Sequence, residues 1–224
     1  MASSAPDSDN QHDSYRRASA TMTPAIRVVR SLRWRAADIA VGAALGVACG
    51  VIFWGFNFAY VWVSPILKAV LPGVASLLHA FWYFSGPLAM LIIRKPGAAV
   101  YVNVIGSLTE TLFGNQYDLS FVVISALMQS IFTELPFALS RYRKYNLGLS
   151  IVSGLLTSLE YGVYLMLFQF QGVAFLSPRG ITHMACELIG GVLIAGVMSW
   201  FLYRAIAKTG ALDHFASGRA VRRV

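Results

Sequence analysis

Six long blocks of apolar residues dominate this chain of 224 residues. An α-helix rises about 1.5 Å per residue, so about 20 apolar residues cross the roughly 30 Å hydrocarbon core of a membrane. Only 12% of the residues are charged, about half the share found in soluble domains. The sequence therefore predicts an all-α fold, a polytopic membrane bundle of about six transmembrane helices. The predicted spans are Ala36–Val63, Leu77–Ile93, Gly97–Phe113, Leu119–Ser140, Leu147–Phe170 and Ile181–Ala207.

The basic residues are distributed unequally between the two ends of these spans. Sixteen of the 18 Lys and Arg residues lie at one end: six precede the first span, two and three lie in the connections after the second and fourth spans, and five lie from Arg204 onward. Lys68 and Arg179 lie at the opposite end. Because cytoplasmic loops carry the excess of basic residues, we expect both termini to be cytoplasmic. The net charge of +8 then reflects topology, and no nucleic-acid partner is predicted.

Polar segments flank the predicted membrane body. Residues 1–25 are rich in Ser, Ala, Asp and Gln, cannot bury an apolar face, and are predicted to form a disordered cytoplasmic tail. Residues 26–208 form the predicted six-helix transmembrane domain in the lipid bilayer. Residues 209–224 form a basic cytoplasmic tail that suits the anionic inner leaflet. No signal-peptide pattern precedes the first span, so we expect that span to remain in the protein.

The first span carries two rows of small residues at intervals of four. One row contains Ala40, Ala44 and Ala48, and the other contains Gly42, Gly46 and Gly50. Four-residue spacing aligns each row along one side of a helix, where the lack of bulk lets another backbone approach closely. The pattern fits a docking surface for a partner protein, and it fits close packing within the bundle equally well.

Aromatic residues are concentrated at the predicted outer end of the first two spans. Trp54 and Asn57 belong to the first span, and Trp82 and Tyr83 to the second. Aromatic side chains anchor membrane helices at the interface. At this density, with Asn57 among them, they also suit the wall of a pocket for a flat ligand. We therefore treat these four residues as candidate substrate contacts.

Four carboxylates lie one on each of the last four spans, at Glu110, Glu134, Glu160 and Glu187. A charged side chain near the bilayer centre costs about 2.5 to 3.5 kcal/mol, so these residues should face the bundle interior or a watery cavity. Each of Glu110 and Glu160 belongs to a polar stripe at helical spacing. The stripes are Asn103, Gly106, Ser107 and Glu110 on the third span and Ser153, Thr157, Glu160 and Tyr164 on the fifth. We expect Glu110, Glu134 and Glu160 to belong to the substrate site, although Glu134 lies in the inner third and suits a structural or gating role equally well.

Two amide side chains complete the candidate site. Gln129 forms a stripe with Ser125 and Thr133 on the fourth span, and Gln116 follows Glu110 in the polar connection after the third span. The alternative is that such polar residues hydrogen-bond from helix to helix, which stabilises a bundle by about 0.6 to 2 kcal/mol per bond.

Motifs of catalysis and of cofactor binding are missing from the sequence. It contains no GxSxG, HExxH, P-loop or Rossmann glycine pattern, so no enzymatic activity, catalytic residue or cofactor is predicted. His183 and Glu187 lie four residues apart on one helix face. Such a pair forms an intrahelical hydrogen bond more often than a metal site, and we predict no metal site.

Five segments of the sequence resemble the YkoE family, the substrate-specific S components of energy-coupling factor (ECF) transporters for thiamine or its hydroxymethylpyrimidine precursor. The resemblance extends from about Trp34 to Arg219 and follows the order and spacing of several motifs. The segments are VIFWGFNFAYV, FSGPLAMLIIRKPGAAV, TETLFGNQYDLS, LMQSIFTELPFALSRYRKYN and AKTGALDHFASGR.

The resemblance implies a six-helix S component in the cytoplasmic membrane of a prokaryote, with its vitamin bound near the outer face. Such subunits work with a transmembrane coupling subunit and two ATP-binding cassette ATPases. They resemble one another in an AxxxA pattern on the first helix, which docks onto the coupling subunit, and Ala40, Ala44 and Ala48 fit that pattern.

Thiamine has a cationic thiazolium and an aminopyrimidine, which call for aromatic faces, a carboxylate and amide partners. The candidate contacts supply these groups. An S component for another flat heterocyclic or aromatic nutrient remains an alternative, as do a membrane enzyme that uses the intramembrane carboxylates and a scaffold for assembly.

Overall fold

The computed structural model describes residues 32–222, which are helical with no β-strand. The tail predicted at residues 1–25 lies outside the described residues. The helices are α1 (Ala36–Val70), a 3₁₀ helix (Val74–Trp82), α2 (Ser85–Ile93), α3 (Ala98–Phe113), α4 (Leu119–Leu139), α5 (Leu147–Phe168), α6 (Pro178–Gly190), a π-helix (Gly191–Met198), α7 (Ser199–Lys208) and α8 (Ala216–Arg222).

Among the described residues, five helical segments are long and apolar enough to cross a membrane. They are α1, the 3₁₀ helix together with α2, α4, α5, and α6 continued through the π-helix into α7. Helix α3 is shorter, with 16 residues that extend about 24 Å at about 1.5 Å per residue. The predicted all-α membrane bundle is thereby confirmed.

Helix α2 forms the centre of the bundle. Every residue from Ser85 to Ile93 is buried, and the helix packs against α1, α3, α4, α7 and the π-helix. Large apolar side chains such as Leu112 and Leu139 are exposed on the outer surface. In a membrane this surface faces lipid, so the bundle is apolar both inside and outside.

Two predicted spans end or break at different places in the structure. The first span was predicted to end at Val63, but α1 continues to Val70 with Pro65 inside it. The second span was predicted as one helix, but it is a 3₁₀ helix and an α-helix separated at Tyr83. Pro87 explains the break, since its ring would clash with the Tyr83 carbonyl in a continuous α-helix.

The sixth span begins at Pro178 and not at Ile181, and it changes to a π-helix in its middle. The Ser177 side chain caps it by accepting a hydrogen bond from the Gly180 amide, at 3.1 Å. The π-helix packs tightly against α5, where a Cβ atom on Gly154 would come within 2.2 Å of the Gly191 carbonyl oxygen. Glycine is therefore required at this contact.

The C-terminal segment packs against the membrane body. Leu212 and Phe215 are buried, and the Tyr203 hydroxyl donates a hydrogen bond of 2.8 Å to the Ser217 carbonyl. Helix α8 therefore contacts α7 through residues that the sequence placed in a basic tail. That this end of the molecule is cytoplasmic remains a prediction.

The spans run alternately up and down, which brings residues 71–73, 114–118 and 169–177 to one end of the bundle. We refer to this end as the predicted outer end. The connections at residues 94–97 and 140–146 and the C-terminal segment lie at the other, predicted inner, end.

Candidate ligand-binding site

A polar cavity lies at the predicted outer end between the 3₁₀ helix, α3, α4 and α5. Its wall combines one carboxylate, amide and hydroxyl groups, and several aromatic rings. The lining residues are Trp82, Ser107, Glu110, Asn115, Tyr117, Phe121, Val122, Ser125, Ala126, Gln129 and Tyr161. Three of the predicted substrate contacts therefore meet in one place, namely Trp82, Glu110 and Gln129.

A chain of hydrogen bonds fixes one wall of this cavity. The buried Asn57 donates a short hydrogen bond from Nδ2 to Glu110 Oε1. Its Oδ1 atom accepts a hydrogen bond of 3.1 Å from Trp82 Nε1. Asn57 thus holds the carboxylate and the indole that line the cavity, although it is not itself in the lining.

The opposite wall is formed by α4 and the connection that precedes it. Gln129 Nε2 donates a hydrogen bond of 2.8 Å to Ser125 Oγ. Asn115 Nδ2 is buried with no hydrogen-bond partner, so the cavity contains an unused donor. Burial raises the pKa of the Tyr117 hydroxyl, and the nearby Glu110 charge adds to this effect. Tyr117 therefore stays protonated and available as a donor.

The cavity is small in this conformation. Its volume is about 30 Å³, enough for about two water molecules. Pockets for drug-sized molecules measure about 300 to 1,000 Å³. Trp82, Tyr117 and Phe121 are only half-buried, and their displacement would enlarge the space from the predicted outer end.

Several lining residues were not singled out from the sequence. Asn115 and Tyr117 lie in the connection between α3 and α4, where the spacing of residues in the sequence does not predict the direction of their side chains. Phe121 and Val122 continue the α4 stripe of Ser125 and Gln129 toward its N-terminus at helical spacing, and that signal was available. Tyr161 follows Glu160 directly and faces the cavity in its place.

Three other predicted contacts lie near the cavity but do not line it. Gln116 is exposed on the connection between Asn115 and Tyr117. Tyr83 is fully buried, and its hydroxyl donates a hydrogen bond of 2.9 Å to Glu187. Trp54 is half-buried between Phe58 and Phe113, with ring centroids 5.2 and 5.7 Å away, respectively.

The remaining two predicted carboxylates lie elsewhere. Glu134 is near the predicted inner end, where its Oε1 atom accepts hydrogen bonds from the Gly97 amide at 2.6 Å and the Tyr142 hydroxyl at 2.9 Å. Glu160 lines a groove of about 330 Å³ between α4 and α5, whose walls are otherwise mostly apolar. Its Oε2 atom is buried with no hydrogen-bond partner.

Below the cavity, the predicted polar stripes hydrogen-bond to one another across helices. Asn103 on α3 donates a bond of 2.9 Å to Ser130 on α4. Thr133 on α4 lies 2.7 Å from the hydroxyl of Thr157 on α5. These contacts join α3, α4 and α5 into a frame beneath the cavity.

A second buried polar cluster lies beside the cavity. Its ligand-type atoms belong to His79, His183 and Glu187 and lie within 4.8 Å of one another. His79 Nδ1 is 2.7 Å from Glu187 Oε2, and His79 Nε2 is 2.8 Å from the Tyr60 hydroxyl. This grouping was not predicted, because more than 100 residues separate His79 from its partner in the sequence.

The expected intrahelical bond between His183 and Glu187 is replaced by bonds to other helices. His183 Nε2 donates to the Gly162 carbonyl at 3.0 Å, so in the neutral ring Nδ1 accepts from the Ser76 hydroxyl at 2.5 Å. Glu187 bonds to His79 and Tyr83 instead. Every ring nitrogen of the two histidines thus has a partner.

The two rows of small residues on α1 have different surroundings. Gly42, Gly46 and Gly50 are buried against α3, and a Cβ atom on Gly50 would lie 2.5 Å from the Gly106 carbonyl oxygen. Ala40, Ala44 and Ala48 are exposed on the outer surface of the bundle. The glycine row therefore packs the bundle, and the alanine row is free for lipid or another protein.

Comparison with known proteins gives three matches. Residues 37–160 match a family described as ABC-type cobalt transport system, permease component. A curated relative from Bacillus subtilis (strain 168), named putative HMP/thiamine permease protein YkoE, is 25% identical over 192 residues, which cover 85% of this chain and 93% of the relative. A crystal structure described as an S-component of ECF transporter superposes with a TM-score of 0.75 at 23% identity, over 85% of this chain and 94% of that one. The fold is therefore that of an S component.

Proposed function

Because the chain belongs to the family of ABC-type cobalt transport system permease components, we propose that it is the substrate-specific subunit of an ECF importer for thiamine or hydroxymethylpyrimidine. The family and the fold are those of transport components and not of enzymes. The relative named as a putative HMP/thiamine permease supports the choice of substrate.

The observation that carries this proposal is the chemistry of the cavity around Glu110. An aminopyrimidine presents ring nitrogens that accept hydrogen bonds and an amino group that donates them. Gln129 and the unpartnered Asn115 amide supply complementary groups. Trp82 and Phe121 supply aromatic faces on which a flat ring stacks. Among the described residues of the lining, Glu110 is the only carboxylate, and it suits the cationic thiazolium or the amino group.

Substrate binding requires the cavity to open, because about 30 Å³ does not hold a vitamin. Residues 114–118 are the covering element in this proposal, since Asn115 and Tyr117 belong to both the loop and the lining. Gln116 lies on the same loop and would reach the ligand when the loop closes over it. Trp54 would pack at the rim of the site. Tyr83 and Glu160 would support the site from behind the lining residues, without contacting the ligand directly.

Delivery of the substrate would depend on the exposed alanine row of α1. Ala40, Ala44 and Ala48 leave the backbone of α1 accessible to a partner helix. The partner in this proposal is a transmembrane coupling subunit that carries two ATP-binding cassette ATPases. The chain would bind substrate in the membrane of a prokaryotic cell, and the ATPases would drive its release.

The proposal is tested by titrating the purified protein with thiamine and with hydroxymethylpyrimidine. We expect saturable binding of at least one of them. Glu110→Gln should weaken thiamine binding more than binding of the uncharged precursor, if the carboxylate pairs with the thiazolium. Glu134→Gln, the same change at the predicted inner end, is the matched control: it should lower stability but leave the affinity of the folded protein for both compounds unchanged. If neither compound binds to the wild-type protein, the proposal is contradicted.

A divalent cation is the second candidate substrate, because His79, His183 and Glu187 form a cluster of metal-ligating types. The hydrogen bonds argue for a structural cluster, since a metal would have to displace Tyr60, Ser76 or the Gly162 carbonyl. Titration with Co²⁺ distinguishes a cation-binding site from a structural cluster. Saturable Co²⁺ binding that is lost in His79→Ala would favour the cation, and we expect no such binding.

A further inference from the structure

A second cavity lies at the predicted outer end, apart from the one that contains Glu110. Its volume is about 250 Å³, and no described residue lines both this cavity and the first one. It is enclosed by the end of α1, the turn that follows, the start of the 3₁₀ helix and the first turns of α6. The lining residues are Tyr60, Lys68, Pro72, Gly73, Ala75, Ser76, Phe170, Arg179 and His183.

Both basic residues of the predicted outer end line this cavity. Among the described residues, neither Lys68 nor Arg179 lies within 4.0 Å of a carboxylate. None of the described residues that line the cavity is acidic. Two cations without a neutralising carboxylate give the cavity a positive potential.

Aromatic rings of the lining hold both cations at the cavity. Lys68 Nζ lies 5.9 Å from the centroid of the Tyr60 ring. Arg179 Cζ lies 5.5 Å from the centroid of the Phe170 ring. A cation over a ring face is attracted to the ring, so these two side chains are positioned even though they are exposed.

The elements that carry the two cations are locked together by Gly73. This residue has a φ of 103°, and a Cβ atom on it would lie 2.8 Å from the His183 amide nitrogen and 3.0 Å from the Arg179 carbonyl oxygen. The turn after α1 therefore packs directly against the first turns of α6. The cavity is a preformed feature of the fold, and its cations need little reorganisation to act together.

The floor of the cavity is polar and uncharged. Ser76 and His183 are buried and hydrogen-bonded to each other at 2.5 Å. Glu187 lies one helical turn beyond His183, where His79 and Tyr83 already bond to it. The cavity therefore combines a cationic rim with a neutral floor, which suits an anion and not a cation.

We propose that this cavity binds the phosphate group of an anionic ligand. A phosphate monoester carries a charge of about −1.5 to −2 at neutral pH, and the phosphodiester of a lipid carries one negative charge, so both are attracted to the two cations. Arginine and lysine form the strong, charge-assisted hydrogen bonds that phosphate oxygens accept. The phosphate belongs either to a soluble phosphate compound or to a lipid headgroup, since the cavity is at a membrane interface in the predicted topology. This inference goes beyond vitamin transport and does not depend on it.

The test measures binding of inorganic phosphate and of glycerol phosphate to the full chain in a neutral detergent, by ³¹P NMR titration at constant ionic strength. The lipid source is tested by native mass spectrometry after reconstitution with phosphatidylglycerol and phosphatidylcholine. The variants are Lys68→Gln, Arg179→Gln and the double substitution. Lys208→Gln is the matched control, because Lys208 is an exposed cation at the other end of the bundle.

We expect each single substitution to weaken binding about tenfold, the factor that one hydrogen bond to a charged group contributes. The double variant should lose measurable binding, and the control should bind like the wild type. Arg179→Lys keeps the charge and should retain most of the affinity. Dependence on both cations with the soluble phosphates identifies a soluble ligand, and the same dependence with phosphatidylglycerol alone identifies a lipid headgroup.

The proposal is overturned if neither kind of phosphate binds, or if the double variant binds as the wild type does. Thiamine titration separates this result from that of the proposed function. Because no described residue lines both cavities, the double variant should bind thiamine with unchanged affinity. Competition between phosphate and thiamine would also overturn the assignment of a separate site.

Discussion

Introducing the same leucine at two neighbouring positions of α1 should separate bundle packing from partner docking. A Cβ atom on Gly50 would lie 2.5 Å from the Gly106 carbonyl oxygen and 2.6 Å from Thr109 Cβ. Overpacking of this kind destabilises a protein by up to about 3 kcal/mol. Replacing glycine by leucine also raises the helix propensity, which stabilises the helix by about 1 kcal/mol. Gly50→Leu should thus destabilise the protein by about 2 kcal/mol. Ala48 is exposed, so Ala48→Leu should change stability by no more than about 0.5 kcal/mol.

The two variants are compared by thermal unfolding in detergent and by capture of the coupling subunit. For a chain of this size about 1 kcal/mol shifts the Tm by about 2 to 4 °C. Gly50→Leu should therefore lower the Tm by about 4 to 8 °C, while Ala48→Leu leaves it within about 2 °C and abolishes capture. Equal loss of stability in both variants would refute the assignment of the two rows to different surfaces, as would full capture by Ala48→Leu.

Two further predictions concern topology and the predicted inner end. A reporter fused after Tyr145 should be cytoplasmic and one fused after Phe175 external, because the basic residues lie mainly on the Tyr145 side; the reverse labelling would invert the predicted ends. Glu134→Gln should lower the free energy of unfolding by about 1 to 3 kcal/mol, because it weakens the bonds to the Gly97 amide and the Tyr142 hydroxyl. An unchanged Tm would show that these bonds do not stabilise the connections.

The sequence predicts the number and class of the helices because lipid imposes a minimum length on each apolar block. It does not predict where backbone geometry changes inside a block. Pro87 breaks the second span, whereas Pro65 remains inside α1. The difference depends on packing, since the segment before Pro87 ends in the fully buried Tyr83, whose hydroxyl is bound to Glu187.

The two rows of small residues on α1 show which structural information the sequence spacing gives and which it lacks. Four-residue spacing predicts that each row shares a face, but it does not say which face meets the bundle. The structure buries the glycine row, where the α3 backbone leaves no room for a Cβ atom on Gly50. It exposes the alanine row, which remains the candidate docking surface.

The candidate site was predictable where it follows a helix and unpredictable where it does not. Glu110 and Gln129 belong to polar stripes, and the structure brings both to one cavity. Asn115 and Tyr117 reach the cavity from a loop. Because a loop has no regular repeat, its conformation cannot be predicted from residue spacing. His79 and Glu187 are hydrogen-bonded although they lie 108 residues apart in the sequence. Only tertiary packing determines such a contact.

The central claim, that the chain binds a pyrimidine vitamin in the cavity around Glu110, is tested most directly by identifying the ligand that the protein selects. The purified protein is dialysed against equal concentrations of thiamine, hydroxymethylpyrimidine, riboflavin and tryptophan, and the retained compound is released by denaturation and identified by mass spectrometry. We predict enrichment of thiamine or hydroxymethylpyrimidine, with that enrichment lost in Trp82→Ala. Selection of riboflavin or tryptophan, or equal retention by wild type and Trp82→Ala, would contradict the claim.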